Sequence, residues 1–245
     1  MGIKKHIPNT ITCLNLISGG IACVFAFHQL YFYASLAIYV GAIFDFFDGM
    51  SARLLKVSSP IGKELDSLAD DITFGLAPAT ILFMWLSTHL PCYEGSGIPG
   101  CVVPYFCFVL AAFAALRLAK FNLDTRQTSS FIGLPTPAMS ILTASIIALF
   151  DADHIWGTYD MEWLRPAVTS PIVVLAYVAL LSWLMVCELP MFSLKFKNLK
   201  WQGNEPKFIL LATSVLMLCI FHLAAIPAII LLFIAMSVVL AFKKK

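Results

Sequence analysis

The sequence predicts an all-α, polytopic membrane helical bundle, and three observations carry that expectation. Of 245 residues, 60% are hydrophobic and only 12% charged, with a mean hydropathy of +0.88, whereas a soluble domain carries about 25% charged residues. The apolar residues fall into eight runs, 11–31, 33–55, 63–88, 101–122, 134–151, 167–188, 207–223 and 225–242, each near the ~20 residues that cross a bilayer as a helix. The basic residues are one-sided: threading the chain through eight spans puts 15 of the 16 Lys and Arg on one face and leaves Arg165 on the other. Basic loops stay cytoplasmic, so both termini are expected in the cytoplasm, in an inner (plasma) membrane. This composition excludes a soluble enzyme, a disordered chain and a nucleic-acid binder.

The elements follow in order. Lys4 and Lys5 ahead of an apolar run imitate a signal peptide, but Asn9, Thr12 and Asn15 interrupt the run and seven more spans follow, so it reads as a retained first helix. Ser58-Ser59-Pro60 supplies a cap and a first-turn proline ahead of the third span. Pro78 lies inside that span, where a kink is tolerated if neighbours satisfy the freed carbonyl. Gly95-Ser96-Gly97 and Pro99-Gly100 form an outside loop flanked by Cys92 and Cys101, a disulfide pair if that face is oxidising. The other five cysteines read as packing, no C-x-x-C pair occurs, and the five histidines are too scattered for a metal set. Pro135 and Pro137 open the fifth span.

Carboxylates break the apolar pattern at or near the cytoplasmic ends of two spans. Asp45, Asp48, Asp66, Asp70 and Asp71 sit in the second and third spans, and an aspartate at the centre of a membrane helix costs a few kcal/mol or more, so such residues usually mark a pathway or a site. Asp45, Asp48, Gly49 and Ala52 stand at i, i+3, i+4 and i+7, one helical face that sets two carboxylates beside open space. Gly62, Asp66, Asp70 and Thr73 form a matching stripe on the next helix, and the connection 56–62 is short enough to make the two helices antiparallel neighbours. Converging carboxylates need cations between them, and oxygen-only ligands suit Mg²⁺, Mn²⁺ or Ca²⁺. Four aspartates and two divalent ions sum to zero charge, which leaves the metals free to grip a phosphate. Arg53, Lys56 and Lys63 stand at the same mouth. The reading is a two-metal site for a pyrophosphate compound; the plain alternative is a set of buried carboxylates held in structural ion pairs.

Written out, residues 45–70 read DFFDGMSARLLKVSSPIGKELDSLAD. This stretch resembles the signature of the CDP-alcohol phosphotransferases, D-x2-D-G-x2-A-R-x8-G-x3-D-x3-D, with every fixed residue and gap in place. The resemblance implies a six-helix core, here 1–190, with a cytoplasmic loop and two additional C-terminal transmembrane helices over 191–245. It places Asp45, Asp48, Asp66 and Asp70 at the metals (Mg²⁺ or Mn²⁺, two ions) and makes Asp70 the general base. It sets Gly49, Ala52, Arg53 and Gly62 beside the CDP moiety. Asp71 lies outside the motif, about 140° around the helix from Asp66, and reads as structural.

Within that family the segments 7–22, 65–79, 117–122 and 131–138 resemble the serine-accepting branch of bacteria and archaea. The implied reaction transfers the phosphatidyl group of CDP-diacylglycerol to serine. Arg117, Lys120, Asn122 and Arg126 are the candidates for the acceptor, or else simply enforce topology or hold anionic headgroups. Asn9 and Thr12 are candidate nucleotide contacts, or else caps of the first helix. The family also implies a homodimer, for which Gly19, Gly20 and Gly41 offer small packing positions. An acceptor such as glycerol 3-phosphate or inositol would keep the aspartates. A cation or proton transporter would also use intramembrane carboxylates, but these cluster near one face. Prenyltransferases place their two aspartate motifs far apart, whereas here all four residues fall within 26 positions.

Overall fold

Two left-handed turns fold the first three helices onto one another. The computed structural model describes residues 6–90, 102–124, 131–151, 162–191, 201 and 204–243. Helix α1 (His6–Phe27) ends where Gln29 adopts φ 59°, and Leu30 N–H closes back onto the Phe25 carbonyl at 2.9 Å. Helix α2 (Tyr31–Leu55) ends the same way: Lys56 at φ 50° lets Val57 N–H reach the Ala52 carbonyl at 3.0 Å. The first span thus occupies 6–27, not the expected 11–31. The Gln29 turn stops it early, and Pro8 is tolerated because the first turn of a helix has no N–H bonds to lose.

The start of α2 is capped from far away in sequence. Its own preceding residue supplies no side-chain bond, and Asp151 does so instead, Oδ2 accepting from Phe32 N–H at 2.7 Å. An acidic residue 119 positions away in sequence therefore holds the beginning of this helix.

The third span is one continuous helical run, Pro60–His89, built in three parts. Helix α3 (Pro60–Asp70) starts as expected, with the Ser59 hydroxyl accepting from Gly62 N–H at 3.0 Å and Pro60 in the first turn. A π-helical turn follows over Asp71–Leu76, and α4 (Ala77–His89) completes the run. The π turn accommodates Pro78. Ala77 N–H bonds five residues back to the Ile72 carbonyl, so the next carbonyl in that register, that of Thr73, finds no donor at Pro78. Ser140, from a later helix, turns its hydroxyl toward it at 3.5 Å. A proline in a membrane helix is accommodated by just such a side chain and local π geometry.

Beyond this run lie a 3₁₀ turn (Val103–Phe108) leading into α5 (Val109–Leu123), then α6 (Thr136–Ala148), the short α7 (Arg165–Thr169) and α8 (Pro171–Val186). Helices α9 (Glu205–Phe221) and α10 (Ala225–Lys243) are separated by a break at His222, φ 49° and ψ −137°, and pack on each other. By length and composition five stretches suffice to cross a membrane, the last being Glu205–Phe242, and α6 and α8 are shorter apolar helices. The break at His222 divides that last stretch into two helices at the boundary the sequence predicts. The described residues confirm an all-α polytopic bundle.

The third span is the axis: 72% of its most apolar window is buried, against 22–33% for the other four long stretches. α1, α2, α5 and α6 pack around it, and α10 lies on α6. One feature escapes an all-helical reading. Two-residue strands β1 (Phe131–Ile132) and β2 (Pro190–Met191) pair antiparallel, clipping the segment before α6 to the segment after α8. Gly133 makes the clip possible. Its φ is +76°, and a side chain there would also run into the Met185 carbonyl.

Of the small residues offered as a dimer surface, two are used inside the chain. A Cβ on Gly41 would stand 2.6 Å from Thr73 Cγ2, and one on Gly19 would strike Thr73 Oγ1, whereas Gly20 has open space. Cys92 and Cys101 lie outside the described residues.

Candidate active site

Helices α2 and α3 turn three carboxylates toward one point. Oxygens of Asp45, Asp48 and Asp66 lie within 4.8 Å of one another. Helix α1 packs on both helices, and the i, i+3 spacing of Asp45 and Asp48 puts both on the face that meets Asp66. Asp48 is 5% exposed, and its Oδ2 accepts from the Thr12 hydroxyl of α1 at 2.6 Å. Asp66 Oδ1 is buried without a hydrogen-bond donor. Asp70, one turn further along α3, is outside the 4.8 Å set but lies within electrostatic reach of all three. Its Oδ1 accepts from Asn15 Nδ2 at 3.1 Å. Asp71 opens the π turn, away from the triad, with its own Oδ1 buried and unpaired.

No Lys, Arg or His among the described residues forms an ion pair with these four carboxylates, which removes the reading of buried aspartates held by structural salt bridges. Two unit charges 4 Å apart repel by about 4 kcal/mol at an effective dielectric of 20, so the cluster calls for a compensating cation. A donor set made only of carboxylate oxygens, one of them buried with unused lone pairs, fits a hard divalent ion.

Beside the triad lies a cavity of about 240 Å³. It brings together Asn9, Thr12, Gly49, Ala52 and Gly62 with Asp48 and Asp66. The small residues matter because a Cβ on Gly62 would stand 3.0 Å from Asn9 Oδ1 and 2.9 Å from Ser59 Oγ. Arg53 does not line this cavity: it is exposed, and its Nε donates to the Gly49 carbonyl at 2.8 Å. Lys63 does line it, while its Nζ donates to the Asn122 carbonyl at 3.0 Å.

A second cavity, about 350 Å³, opens between the ends of α5 and α8 and is lined by Arg117 and Lys120 together with Asp124 and Glu188. Arg117 is 6% exposed, its Nε is buried without an acceptor, and its guanidinium lies 6.0 Å from the Phe121 ring centroid. The Asp70 charge reaches it. Asn122 points elsewhere: its Nδ2 donates to Ser67 Oγ at 2.7 Å, fastening α5 to α3. Arg126 lies outside the described residues. Sequence reasoning overlooked Asn15, although Asn9, Thr12 and Asn15 recur every three residues on α1 and so form a polar stripe facing the aspartates. Glu188 left no comparable signal, since its place in the cavity depends on the β1–β2 clip.

A bundle with candidate membrane spans and an acidic centre that could hold a metal ion suits a membrane enzyme, and the family to which the chain belongs decides between that and a transporter. Residues 5–194 match the CDP-alcohol phosphatidyltransferase family, and the chain belongs to that family of transferases. It is similar to a Bacillus subtilis protein named CDP-diacylglycerol–serine O-phosphatidyltransferase, with 39% identity over 137 residues, 54% of this chain and 70% of the relative. A Helicobacter pylori protein of the same name is 32% identical over 206 residues, 83% of this chain and 77% of the relative. One from Methanocaldococcus jannaschii is 33% identical over 146 residues, 60% of this chain and 62% of the relative.

Proposed function

We propose that the chain transfers the phosphatidyl group of CDP-diacylglycerol to L-serine, giving phosphatidylserine and CMP. The observation that carries this is the triad of Asp45, Asp48 and Asp66 within 4.8 Å, with no ion-paired cation among the described residues, set beside a cavity lined by small residues. Asp45, Asp48, Asp66 and Asp70 would hold two Mg²⁺ or Mn²⁺ ions, which when bound supply Lewis-acid neutralisation of the diphosphate. Asn9, Thr12, Gly49, Ala52 and Gly62 form the wall against which the cytidine diphosphate lies. Arg53 reaches it only by leaving the Gly49 carbonyl.

Arg117 and Lys120 receive the serine carboxylate in the second cavity, and Arg126 would extend that basic edge. Asn122 acts on the acceptor only through the fastening of α5 to α3. Serine's hydroxyl oxygen then bonds to the lipid-side phosphorus, the bond from phosphorus to the CMP oxygen breaks, and Asp70 takes the hydroxyl proton. Residues 1–190 form the catalytic core and 191–245 a loop and helical hairpin added to it. The enzyme works as a homodimer with its site and termini on the cytoplasmic face of the plasma membrane, drawing its donor from the surrounding lipid.

Purified chain given CDP-diacylglycerol and Mn²⁺, with serine, glycerol 3-phosphate or inositol supplied separately, tests this through CMP release. Metal-dependent release with serine alone is expected. Release with another alcohol instead overturns the acceptor assignment, and release with none overturns the reaction. Asp70→Asn is expected to abolish turnover, and substantial retained activity removes the base assignment.

A further inference from the structure

We infer that Asn15 is a positioning residue for this reaction, orienting the Asp70 carboxylate from the middle of α1. The inference rests on the reading of Asp70 given above and adds a residue that reading does not use. Asn15 is fully buried, and its side-chain amide can point only one way: a carboxylate accepts but does not donate, so Nδ2 faces Asp70 Oδ1 at 3.1 Å. Its Oδ1 is consequently turned toward Gly41, where it is buried with no donor. Leaving such an acceptor unpaired costs about 1–3 kcal/mol. Packing alone does not require that cost, since the same face of α1 is filled further along by Ala22 and Ala26, both fully buried. What the amide supplies, and an apolar side chain would not, is a donor aimed at one oxygen of Asp70.

The surroundings fix the amide in place. The Thr73 hydroxyl donates to the Asn15 carbonyl at 2.9 Å, so α3 and the π turn that follows it grip the same residue of α1 through both its main chain and its side chain. Gly41 leaves room for the grip: a Cβ there would lie 3.1 Å from Asn15 Oδ1 and 2.6 Å from Thr73 Cγ2. With Oδ1 of Asp70 engaged by Asn15, its other oxygen is held in a defined direction for the work assigned to it.

Full-length protein in detergent is compared as wild type and Asn15→Leu, which is close to asparagine in size and lacks the donor. CMP release is measured at varied CDP-diacylglycerol, along with the Tm rise produced by Mn²⁺ alone. Loss of a buried orienting partner of this kind is expected to lower kcat by about 10–100-fold, with KM for the donor kept within about threefold when Mn²⁺ is saturating, since the ions that grip the diphosphate are then bound in both proteins. The Mn²⁺-induced Tm rise should shrink, and in an Asp70→Asn background Asn15→Leu should change it no further. Where a variant at position 15 does not fold, Thr73→Val removes the second tether with little change in shape and should show the same split between kcat and KM. Wild-type kcat in any of these variants when folded overturns the inference. So does a fall in kcat matched by a rise in KM and a loss of metal-free Tm. An active Asp70→Asn enzyme defeats the underlying base assignment instead, whereas an inactive Asp70→Asn beside an active Asn15→Leu defeats only the role of Asn15.

Discussion

Thr73 shows how much of this site depends on one side chain of moderate size. Its methyl fills the notch left by Gly41, its hydroxyl crosses to α1, and its carbonyl is the one Pro78 leaves without a donor. Gly41→Ala should therefore overpack the junction of α1, α2 and the π turn, lowering stability by about 1–3 kcal/mol, the usual cost of an added methylene in a filled core. The double variant Gly41→Ala with Thr73→Ser should recover most of that loss, because serine keeps the hydroxyl and removes the clashing methyl. Thermal unfolding of the three proteins checks this, and an unrecovered Tm would count against the notch. Thr12→Val should leave the fold intact while removing a hydroxyl that donates to Asp48, and weakened Mn²⁺-dependent stabilisation is the expected outcome.

At the scale of the elements, the helix ends carry as much specificity as the faces. The cap at Ser59 was legible in the sequence because Ser-Pro before an amphipathic stretch is a local signal. The cap on α2 was not, since Asp151 stands 119 residues from the Phe32 N–H it accepts, and no local pattern reports a partner that distant. Asp151→Ala should cost about 1 kcal/mol, the typical value for losing a cap, and lower Tm while leaving KM for both substrates unchanged. The acidic stripes of α2 and α3 were readable from i, i+3 and i+4 spacing alone, and their convergence needed only a short connection. The π turn was hidden because Pro78 announces a disturbance without saying which register absorbs it. The split of the acceptor candidates was hidden for a similar reason. Arg117 and Asn122 lie on one helix five residues apart, yet one faces a cavity and the other fastens α3.

Taken whole, the molecule arranges its spans around the most buried of its long apolar stretches. Charge one-sidedness and eight apolar runs made the membrane bundle legible, while the clip between β1 and β2, which bounds the second cavity, came from two distant loops and left no periodic trace. Chelation of divalent ions should lower Tm of the purified protein by relieving the carboxylate cluster of its counter-charge in the wild type but not in an Asp45→Asn, Asp66→Asn double variant. The burial of Pro60–His89 has a further consequence for biogenesis. Its best window has a mean hydropathy of 1.2, against 2.8 for Glu205–Phe242, and its aspartates add a further cost against insertion of an isolated helix, below the about 2.5–3.5 kcal/mol of a residue at the helix centre because they stand toward one end. On leaving the ribosome this segment should partition poorly into lipid by itself and enter only when α1 and α2 already stand in the membrane to receive Asp66, Asp70 and Thr73. Fused alone to a reporter of membrane integration it should mostly fail to integrate, and placed behind α1 and α2 it should succeed, so that the buried aspartates make the order of synthesis a condition of assembly.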